Sequence, residues 1–168
     1  VTVIIIDDTD PVITCPADIT VGTDVDLCTA VVTYSIPTAT DDCPGVTVSL
    51  SGGLASGSSF PLGVNTVEYT ATDGSGNAVT CDFTVTVEDQ QAPTAVCEDI
   101  TVYLDATGNV SITTADVDGG STDNCTAAPA LAISDNAFDC DDTGDNNVTL
   151  TVTDAAGNVS NCVATVTV

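Results

Sequence analysis

Residues 64–87 read VNTVEYTATDGSGNAVTCDFTVTV, and this stretch decides the fold class. Its two flanking runs, Val64–Thr72 and Val79–Val87, alternate apolar side chains with Thr and other polar ones. Such alternation is typical of strands that turn one face to a core and the other to solvent. The segment between them is rich in Asp, Gly, Ser and Asn, which is the composition of a tight turn. The stretch therefore predicts two consecutive strands of a β-sandwich.

The same pattern recurs in the second half of the chain. The turn Asp73-Gly-Ser-Gly-Asn77 matches Asp154-Ala-Ala-Gly-Asn158, and the Thr-Val-Thr-Val sequences that end at Val87 and Val168 match each other. Each half has about the size of one immunoglobulin-type sandwich. We therefore predict an all-β chain of two tandem immunoglobulin-like β-sandwich domains, disulfide-bonded, with residues 7–87 as the first repeat and residues 88–168 as the second.

Residues 1–6 are assigned to the end of a preceding repeat or to a linker strand, because Val1-Thr-Val3 has the form that closes both repeats. The alternative is a strand donated to a neighbouring molecule, which would allow polymerisation by strand addition. Further strands in the first repeat are predicted at Val12–Val21, Cys28–Ile36 and Val46–Leu50, with a shorter one at Ser56–Phe60.

All charged side chains of the chain are acidic. Its 168 residues contain 25 Asp and Glu but no Lys, Arg or His, which gives a formal net charge of −25. Nucleic acid and anionic membrane surfaces are therefore poor partners, since binding to them relies on cationic side chains. The apolar stretches are too short for direct membrane insertion. Self-repulsion on this scale makes divalent cations the natural counter-ions.

The same composition argues against an enzyme. Without His, Lys or Arg, acid–base chemistry is reduced mainly to Asp and Glu, and no Ser or Thr has a base beside it. We therefore predict no catalytic residues and no organic cofactor.

Eight Cys, four in each half, indicate a disulfide framework and an extracellular or cell-surface location. Zinc is disfavoured because the chain has no His and no CxxC pair. Counting strand directions in a sandwich predicts the pairs Cys15–Cys43, Cys28–Cys81, Cys97–Cys125 and Cys140–Cys162. The main competitor joins the first and last strands of each repeat through Cys15–Cys81 and Cys97–Cys162.

Direction counting also brings acidic loops to one end of each repeat, where the chain enters it. Calcium takes six to eight oxygen ligands in irregular geometry and suits such loops better than magnesium does. The alternative is that these Asp and Asn residues only form turns. The predicted calcium ligands, at the domain junctions, are Asp7, Asp8, Asp10, Asp41, Asp42, Asp73 and Asn77 in the first repeat, and Glu88, Asp89, Asp123, Asn124, Asp154 and Asn158 in the second.

A further acidic group, made of Asp139, Asp141, Asp142 and Asp145, is expected near the opposite end of the second repeat. We interpret it as a solvated loop, and the alternative is a contact with a following domain.

The first repeat resembles the hyalin repeat, an immunoglobulin-like extracellular module known as HYR. The resemblance is carried by residues 10–16 (DPVITCP), 37–43 (PTATDDC), 57–63 (GSSFPLG) and 67–77 (VEYTATDGSGN), the last leading to Cys81. The second repeat resembles divergent relatives in long bacterial surface and secreted proteins, through Ala95-Val-Cys97, Asp123-Asn-Cys125 and residues 153–158 (TDAAGN). The resemblance implies adhesion, spacing or matrix assembly.

The resulting hypothesis is a structural or adhesive module of an extracellular repeat array or filament, stiffened by calcium. Its partners would be neighbouring repeats of the same chain or identical chains in a filament, together with a glycan or protein receptor that the sequence does not identify. The alternative is an accessory binding domain of a larger secreted enzyme. Aromatic residues make up only 4% of the chain and Trp is 0, so a sugar-stacking platform would be thin.

Overall fold

The computed structural model describes residues 7–168. The chain divides into two compact units between Asp89 and Gln90, two residues after the predicted boundary. Strands dominate both units, as predicted, and the helical elements are a four-residue helix α1 (Thr114–Val117) and a 3₁₀ turn (Cys140–Asp142). Within the described range, no helix has both the length and the apolar character needed to cross a bilayer. The predicted strand in residues 1–6 lies outside the described residues.

The first unit is a β-sandwich built around the hairpin that the opening stretch predicts. Its strands are β1 (Val12–Thr14), β2 (Ile19–Gly22), β3 (Thr29–Val32), β4 (Thr38–Thr40), β5 (Thr47–Gly52), β6 (Ser58–Pro61), β7 (Gly63–Thr72) and β8 (Ala78–Glu88). Strands β7 and β8 pair antiparallel from Gly63 opposite Val87 to Thr72 opposite Ala78. They form the centre of a four-stranded sheet in the order β2-β8-β7-β5, while β1 pairs with β4 and β3 with β6.

The core of this unit lies between the four-stranded sheet and the two shorter strand pairs. Val67, Val85 and Phe60 are fully buried, and they come from β7, β8 and β6. The ring of Tyr34 packs edge-on against Phe83 with centroids 5.0 Å apart. Each such apolar side chain contributes about 1.5–3 kcal/mol when it leaves water. The alternation of β7 and β8 therefore translates directly into a packed interior.

One predicted strand is broken in the structure. Val12–Val21 was predicted as a single strand but forms β1 and β2, which belong to different sheets. Pro16 lies at the break and has no N–H to give to a ladder. Beyond it, the Asp18 carboxylate accepts the Thr84 N–H at 2.7 Å, which fixes the chain beside β8. From there β2 runs parallel to β8.

The other strand predictions hold with shifted ends. The predicted Cys28–Ile36 strand is shorter, because β3 ends at Val32, and the predicted Ser56–Phe60 strand is β6. Strand β4 was not predicted, since three residues with one half-buried side chain carry too little alternation to be recognised.

All four predicted disulfide pairs are wrong. The structure bonds Cys15 to Cys81, and it leaves Cys43 and Cys140 as exposed free thiols. The reason is the parallel pairing of β2 with β8: Ile19 lies opposite Val85. Cys15 precedes Ile19 by the same four residues as Cys81 precedes Val85, so the register places the two cysteines side by side.

The second unit has the same organisation. Its first and last strands are tied by a disulfide between Cys97 and Cys162, which excludes the predicted Cys97–Cys125 and Cys140–Cys162 pairs. Cys28 and Cys125 are both disulfide-bonded, but their predicted partners Cys81 and Cys97 are engaged elsewhere. These bonds agree with the competing first-to-last-strand pairing considered above.

The sheet of the second unit has the order β11-β13-β14-β9, and β10 pairs with β12. Leu150, Val148, Val152 and Val166 from its central hairpin are fully buried. The Asp99 carboxylate accepts the Thr165 N–H at 2.6 Å, so the first-strand anchor of the other unit recurs here. The strands are β9 (Ile100–Thr101), β10 (Asn109–Ser111), β11 (Ala130–Ile133), β12 (Ala137–Asp139), β13 (Asp145–Thr153) and β14 (Val159–Thr167).

Candidate cation site

Three acidic side chains meet at the end of the first unit where the chain enters it, which we call the proximal end. Asp7 precedes β1, whereas Asp41 and Asp42 follow β4. One potential ligand atom from each of these residues and from Cys43 lies within 4.8 Å of all the others. Two oxygens on opposite sides of one calcium ion, each at about 2.4 Å, would be separated by about 4.8 Å. The first acidic cluster (Asp7, Asp41 and Asp42) therefore has the dimensions of a calcium site.

In the carboxylates of Asp7 and Asp41, one oxygen accepts a backbone hydrogen bond and the other has no hydrogen-bond partner. Asp7 Oδ1 accepts the Thr9 N–H at 3.1 Å, and Asp41 Oδ2 accepts the Cys43 N–H at 3.1 Å. The remaining oxygens, Asp7 Oδ2 and Asp41 Oδ1, are buried and have no hydrogen-bond partner. A buried carboxylate oxygen without a partner is strongly unfavourable unless a cation or water satisfies it. Since the chain has no basic side chain, no salt bridge to one can do so.

Asp73 and Asn77 lie next to the first acidic cluster but have a different role. Asp73 Oδ1 accepts the N–H groups of Ser75, Gly76 and Asn77 at 2.9, 2.6 and 2.8 Å, and Oδ2 accepts the Asn77 side-chain amide at 2.7 Å. Burial alone raises the pKa of Asp73, but these hydrogen bonds outweigh burial and bring the pKa below its usual value. Its oxygens are thus already engaged in the loop.

Asn77 connects this loop to the first acidic cluster. Its side-chain amide also donates to the Asp7 carbonyl oxygen at 3.2 Å. Asp73 and Asn77 therefore position the backbone of Asp7 and do not add ligand atoms to the group of four that Asp7, Asp41, Asp42 and Cys43 form.

The Cys43 thiol is the member of this group that the sequence did not predict. The Asp7 carboxylate close to its sulfur, desolvation and the negative charges of Asp42 and Asp41 raise the pKa of Cys43 to about 11. The thiol therefore stays protonated at neutral pH and is a poor metal ligand, because metals bind the thiolate. The position of Cys43 directly after Asp41 and Asp42 was the sequence signal for its membership. Its proximity to Asp7 could be seen only from the strand topology.

The second unit repeats part of this arrangement. Carboxylate oxygens of Asp123 and Asp154 lie within 4.8 Å of each other. Asp123 Oδ2 accepts the N–H groups of Cys125 and Thr126 at 2.9 and 2.7 Å, while Asp123 Oδ1 is buried and unpartnered. Asp123 thus behaves as Asp41 does.

Asp154 corresponds to Asp73. Its two oxygens accept the backbone and side-chain N–H groups of Asn158 at 2.7 and 2.8 Å. Asn158 in turn donates to the Gln91 carbonyl at 3.4 Å. Burial raises the pKa of Asp154, but hydrogen bonding from Asn158, Gly157 and Ala156 outweighs it, so the pKa lies below its usual value.

The remaining predicted ligands differ in exposure: three are exposed, one is half-buried and one is buried. Asp8 and Asp10 are exposed and lie outside the group of four. Glu88 is exposed at the end of β8, where its carbonyl accepts the Thr23 N–H at 2.9 Å. Asp89 is buried and is the last residue of the first unit. Asn124 is half-buried, and its amide contacts Cys125 Sγ at 3.3 Å.

The other acidic group, near Cys140, is a self-capped loop. The Asp139 carboxylate accepts the Asp141 N–H at 2.8 Å, and the Asp142 carboxylate accepts the Asp139 N–H at 2.9 Å. Asp145 accepts the Thr167 hydroxyl at 2.7 Å. All four acidic side chains except that of Asp142, which is half-buried, are exposed.

Sequence comparisons connect the first unit to a known family. The model of the HYR domain matches residues 6–87, and this match supports the identification of the first unit as an HYR module. Hyalin of Strongylocentrotus purpuratus is 38% identical over 100 residues, which cover 58% of this chain and 8% of hyalin. A rat protein named for its sushi, von Willebrand factor type A, EGF and pentraxin domains is 38% identical over 84 residues, covering 49% of this chain and 2% of that protein.

These relatives are animal proteins and give no support to the bacterial source that the second repeat suggested. The chain spans less than a tenth of their length. Together with the disulfides, the HYR and hyalin matches confirm the predicted extracellular or cell-surface location.

Comparison of structures finds cadherin fragments. Mouse cadherin-23 EC22-24 has a TM-score of 0.48 and 11% identity, with 95% of this chain and 67% of that chain covered. Human mucin-like protocadherin EC1-2 has a TM-score of 0.48 and 13% identity, with 93% and 97% covered. Similarity at this level carries no information on function.

Proposed function

We propose that this chain is a structural and adhesive module of an extracellular repeat array or filament, and that calcium bound at the proximal end of each unit stiffens it. The observation that carries the proposal is the pair of buried, unpartnered oxygens on Asp7 and Asp41. They belong to two carboxylates that each bring a ligand atom within 4.8 Å of the other, in a chain that has no basic side chain to neutralise them. A divalent cation there would supply the missing partner and remove the repulsion between the carboxylates.

The ion would join two parts of the chain that are distant in sequence. Asp7 lies in the segment by which the chain reaches the first unit, whereas Asp41 and Asp42 lie in a loop of the sandwich. Binding all three carboxylates fixes that segment to the sandwich, so it moves with the unit instead of acting as a flexible linker. A repeat array with such fixed segments is stiffer than one with free segments.

The donor set favours calcium over zinc and magnesium. The first acidic cluster offers carboxylates, and the one thiol beside it is held protonated. Zinc prefers thiolate and imidazole ligands in a tetrahedron, while magnesium requires a strict octahedron at shorter distances. Calcium tolerates the irregular arrangement of loop oxygens and completes its shell with backbone carbonyls or water.

The aromatic residues do not support the alternative of a sugar-binding accessory domain. Tyr69 is only 5% exposed, and the Tyr34 hydroxyl donates to the Leu54 carbonyl at 2.6 Å while its ring packs on Phe83. Tyr103, at 84% exposure, is a single ring and not a platform. We therefore propose a non-enzymatic role in spacing and adhesion.

Thermal unfolding with calcium and with chelator tests the proposal. At a free concentration about 100 times its Kd, calcium stabilises the unit that binds it by about 2.7 kcal/mol. For a domain of this size we expect a rise in Tm of about 10–20 °C. The D41N variant should lose the rise of the first unit, whereas D8N, which changes an exposed Asp outside the first acidic cluster, should keep it.

The sign of the D41N effect is the sharpest part of the test. In chelator, D41N removes like-charge repulsion and should unfold at a higher temperature than the wild type; with calcium it should unfold at a lower one. The same sign in both conditions, or a calcium response in D41N as large as in D8N, would refute the site. Small-angle scattering of the wild type should show a stiffer particle with calcium.

A further inference from the structure

Cys43 and Cys125 occupy the same position in their two units. Cys43 follows Asp41-Asp42 and Cys125 follows Asp123-Asn124 at the proximal end, and each cysteine donates its backbone N–H to the Asp two residues before it, at 3.1 Å to Asp41 and 2.9 Å to Asp123. Cys125 is disulfide-bonded, whereas Cys43 is an exposed free thiol. The proximal position is thus one at which this fold makes a disulfide.

Cys28 and Cys140 also share a place, although they are not equivalent in sequence. Cys28 immediately precedes β3, whose first residue Thr29 pairs with Pro61. The corresponding pair in the second unit is Asn109 with Asp139, so the position that matches Cys28 there is Gly108.

The Cys140 side chain fills the space that a residue at Gly108 would use. Its Sγ lies 3.0 Å from where a Cβ on Gly108 would stand and 3.8 Å from the Gly108 carbonyl oxygen. Each unit therefore has a cysteine beside this position, supplied by the residue before β3 in one and by the turn after β12 in the other.

This point lies at the end of each unit where the chain leaves it, which we call the distal end. In the first unit, the Thr23 N–H beside the Cys28 loop bonds to the carbonyl of Glu88, at the end of β8. In the second, Gly144 and Val168 exchange two hydrogen bonds, at 3.0 and 2.9 Å, next to the turn that holds Cys140. Cys28 is disulfide-bonded and Cys140 is an exposed free thiol.

We propose that Cys140 of one copy of this chain forms a disulfide with Cys43 of another, so that successive copies are joined covalently head to tail. Each free thiol stands where the other unit already carries a disulfide-bonded cysteine, one at a proximal end and one at a distal end. The inference deepens the proposed role in an array by naming the partner, a second copy of the chain, and the bond that holds it.

The reaction needs an oxidant, and a small-molecule disulfide of the glutathione type supplies it. The two protein thiols lose two protons and two electrons and gain one S–S bond. The small disulfide takes up both and is released as two small thiols. Each protein cysteine attacks as its thiolate, so the reaction is run at mildly alkaline pH. Outside the cell, disulfides persist once they have formed.

Two single variants test the pairing. C43S retains only the Cys140 thiol and C140S only the Cys43 thiol, and both changes are at exposed side chains. With a small disulfide, the wild type should give a ladder of covalent oligomers on non-reducing electrophoresis. A mixture of C43S and isotopically labelled C140S should give a heterodimer in at least fivefold excess over both homodimers. The C43S/C140S double variant should stay monomeric, which controls for exchange at the other disulfides.

The bond can be identified after cleavage at Asp and Glu, since the chain offers no Lys or Arg for trypsin. A peptide linking Cys43 to Cys140 between labelled and unlabelled chains is expected. Homodimers in the statistical ratio, a Cys43–Cys140 bond within one chain, or a wild type without covalent products would overturn the proposal. Running the reaction in calcium and in chelator separates this outcome from failure of the calcium site, because cross-linking in chelator does not depend on bound ion.

Discussion

Removing the disulfide between Cys15 and Cys81 should strongly destabilise the first unit. The bond joins residues separated by 66 positions. In the chain-entropy model, cross-linking a loop of that length lowers the entropy of the unfolded chain by about 15 cal/mol/K, or about 4 kcal/mol at 25 °C. Domains of this size have unfolding free energies of about 5–15 kcal/mol, so C15A/C81A should be close to the limit of folding.

Urea unfolding followed by tyrosine fluorescence measures this loss in the first unit. The chain has no Trp, and Tyr34 and Tyr69 lie in the packed part of the first unit with their hydroxyl oxygens 3.4 Å apart. Tyr103 is 84% exposed and should change little on unfolding. The fluorescence transition therefore reports mainly on the first unit.

Cys43 provides the control. It is an exposed free thiol, so C43A should change the unfolding free energy by less than about 0.5 kcal/mol. If C15A/C81A lost less than about 1 kcal/mol, or if C43A lost as much as C15A/C81A, the register argument would fail and a bond between Cys15 and Cys43 would have to be reconsidered.

Two further predictions concern the backbone and acid. Gly53 and Gly57 both have positive φ, at 81° and 85°, but a Cβ on Gly53 would overlap the Thr66 carbonyl whereas one on Gly57 would meet open space. G53A should therefore lower the unfolding free energy by at least about 2 kcal/mol more than G57A, and equal losses would contradict the close approach of the two segments. Hydrogen bonds from Thr107 and Asn109 lower the pKa of Asp105, so its contribution is present above the unfolded pKa of about 4 and is lost as the pH falls through the folded value. The difference in unfolding free energy between wild type and D105N should shrink below about pH 4, and a difference that stays constant with pH would contradict this.

The sandwich could be predicted because its signal is local. Alternation in Val64–Thr72 and Val79–Val87 fixes which side chains face inward, and the structure extends these strands by only a residue or two. The disulfides could not be predicted in this way. They depend on the parallel pairing between β2 and β8. That pairing requires the strand to be interrupted at Pro16 and the Asp18 carboxylate to accept the Thr84 N–H, and neither is evident from alternation.

The proximal acidic residues are an intermediate case. Counting strand directions brings Asp7 and Asp41 to the same end of the unit, and the structure places their oxygens together. Counting strand directions does not predict that the Asp73 carboxylate accepts hydrogen bonds from its own loop, because this depends on three backbone N–H groups converging on one oxygen atom. Nor could composition show which carboxylate oxygens remain buried without partners.

Both units contain one Asp whose carboxylate is fully hydrogen-bonded and one Asp with an unpartnered oxygen. Asp73 and Asp154 are both engaged by the Asn four residues later, whereas Asp41 and Asp123 both hold their own loop with Oδ2 and leave Oδ1 buried and unpartnered. The neighbouring residue differs, since Asp42 in one unit corresponds to Asn124 in the other. An arrangement that survives this change belongs to the repeat and not to one local sequence. If it serves to bind a cation, then Asp73 and Asp154 use both oxygens to build their turns, whereas Asp41 and Asp123 use one oxygen for the turn and keep the other for the ion.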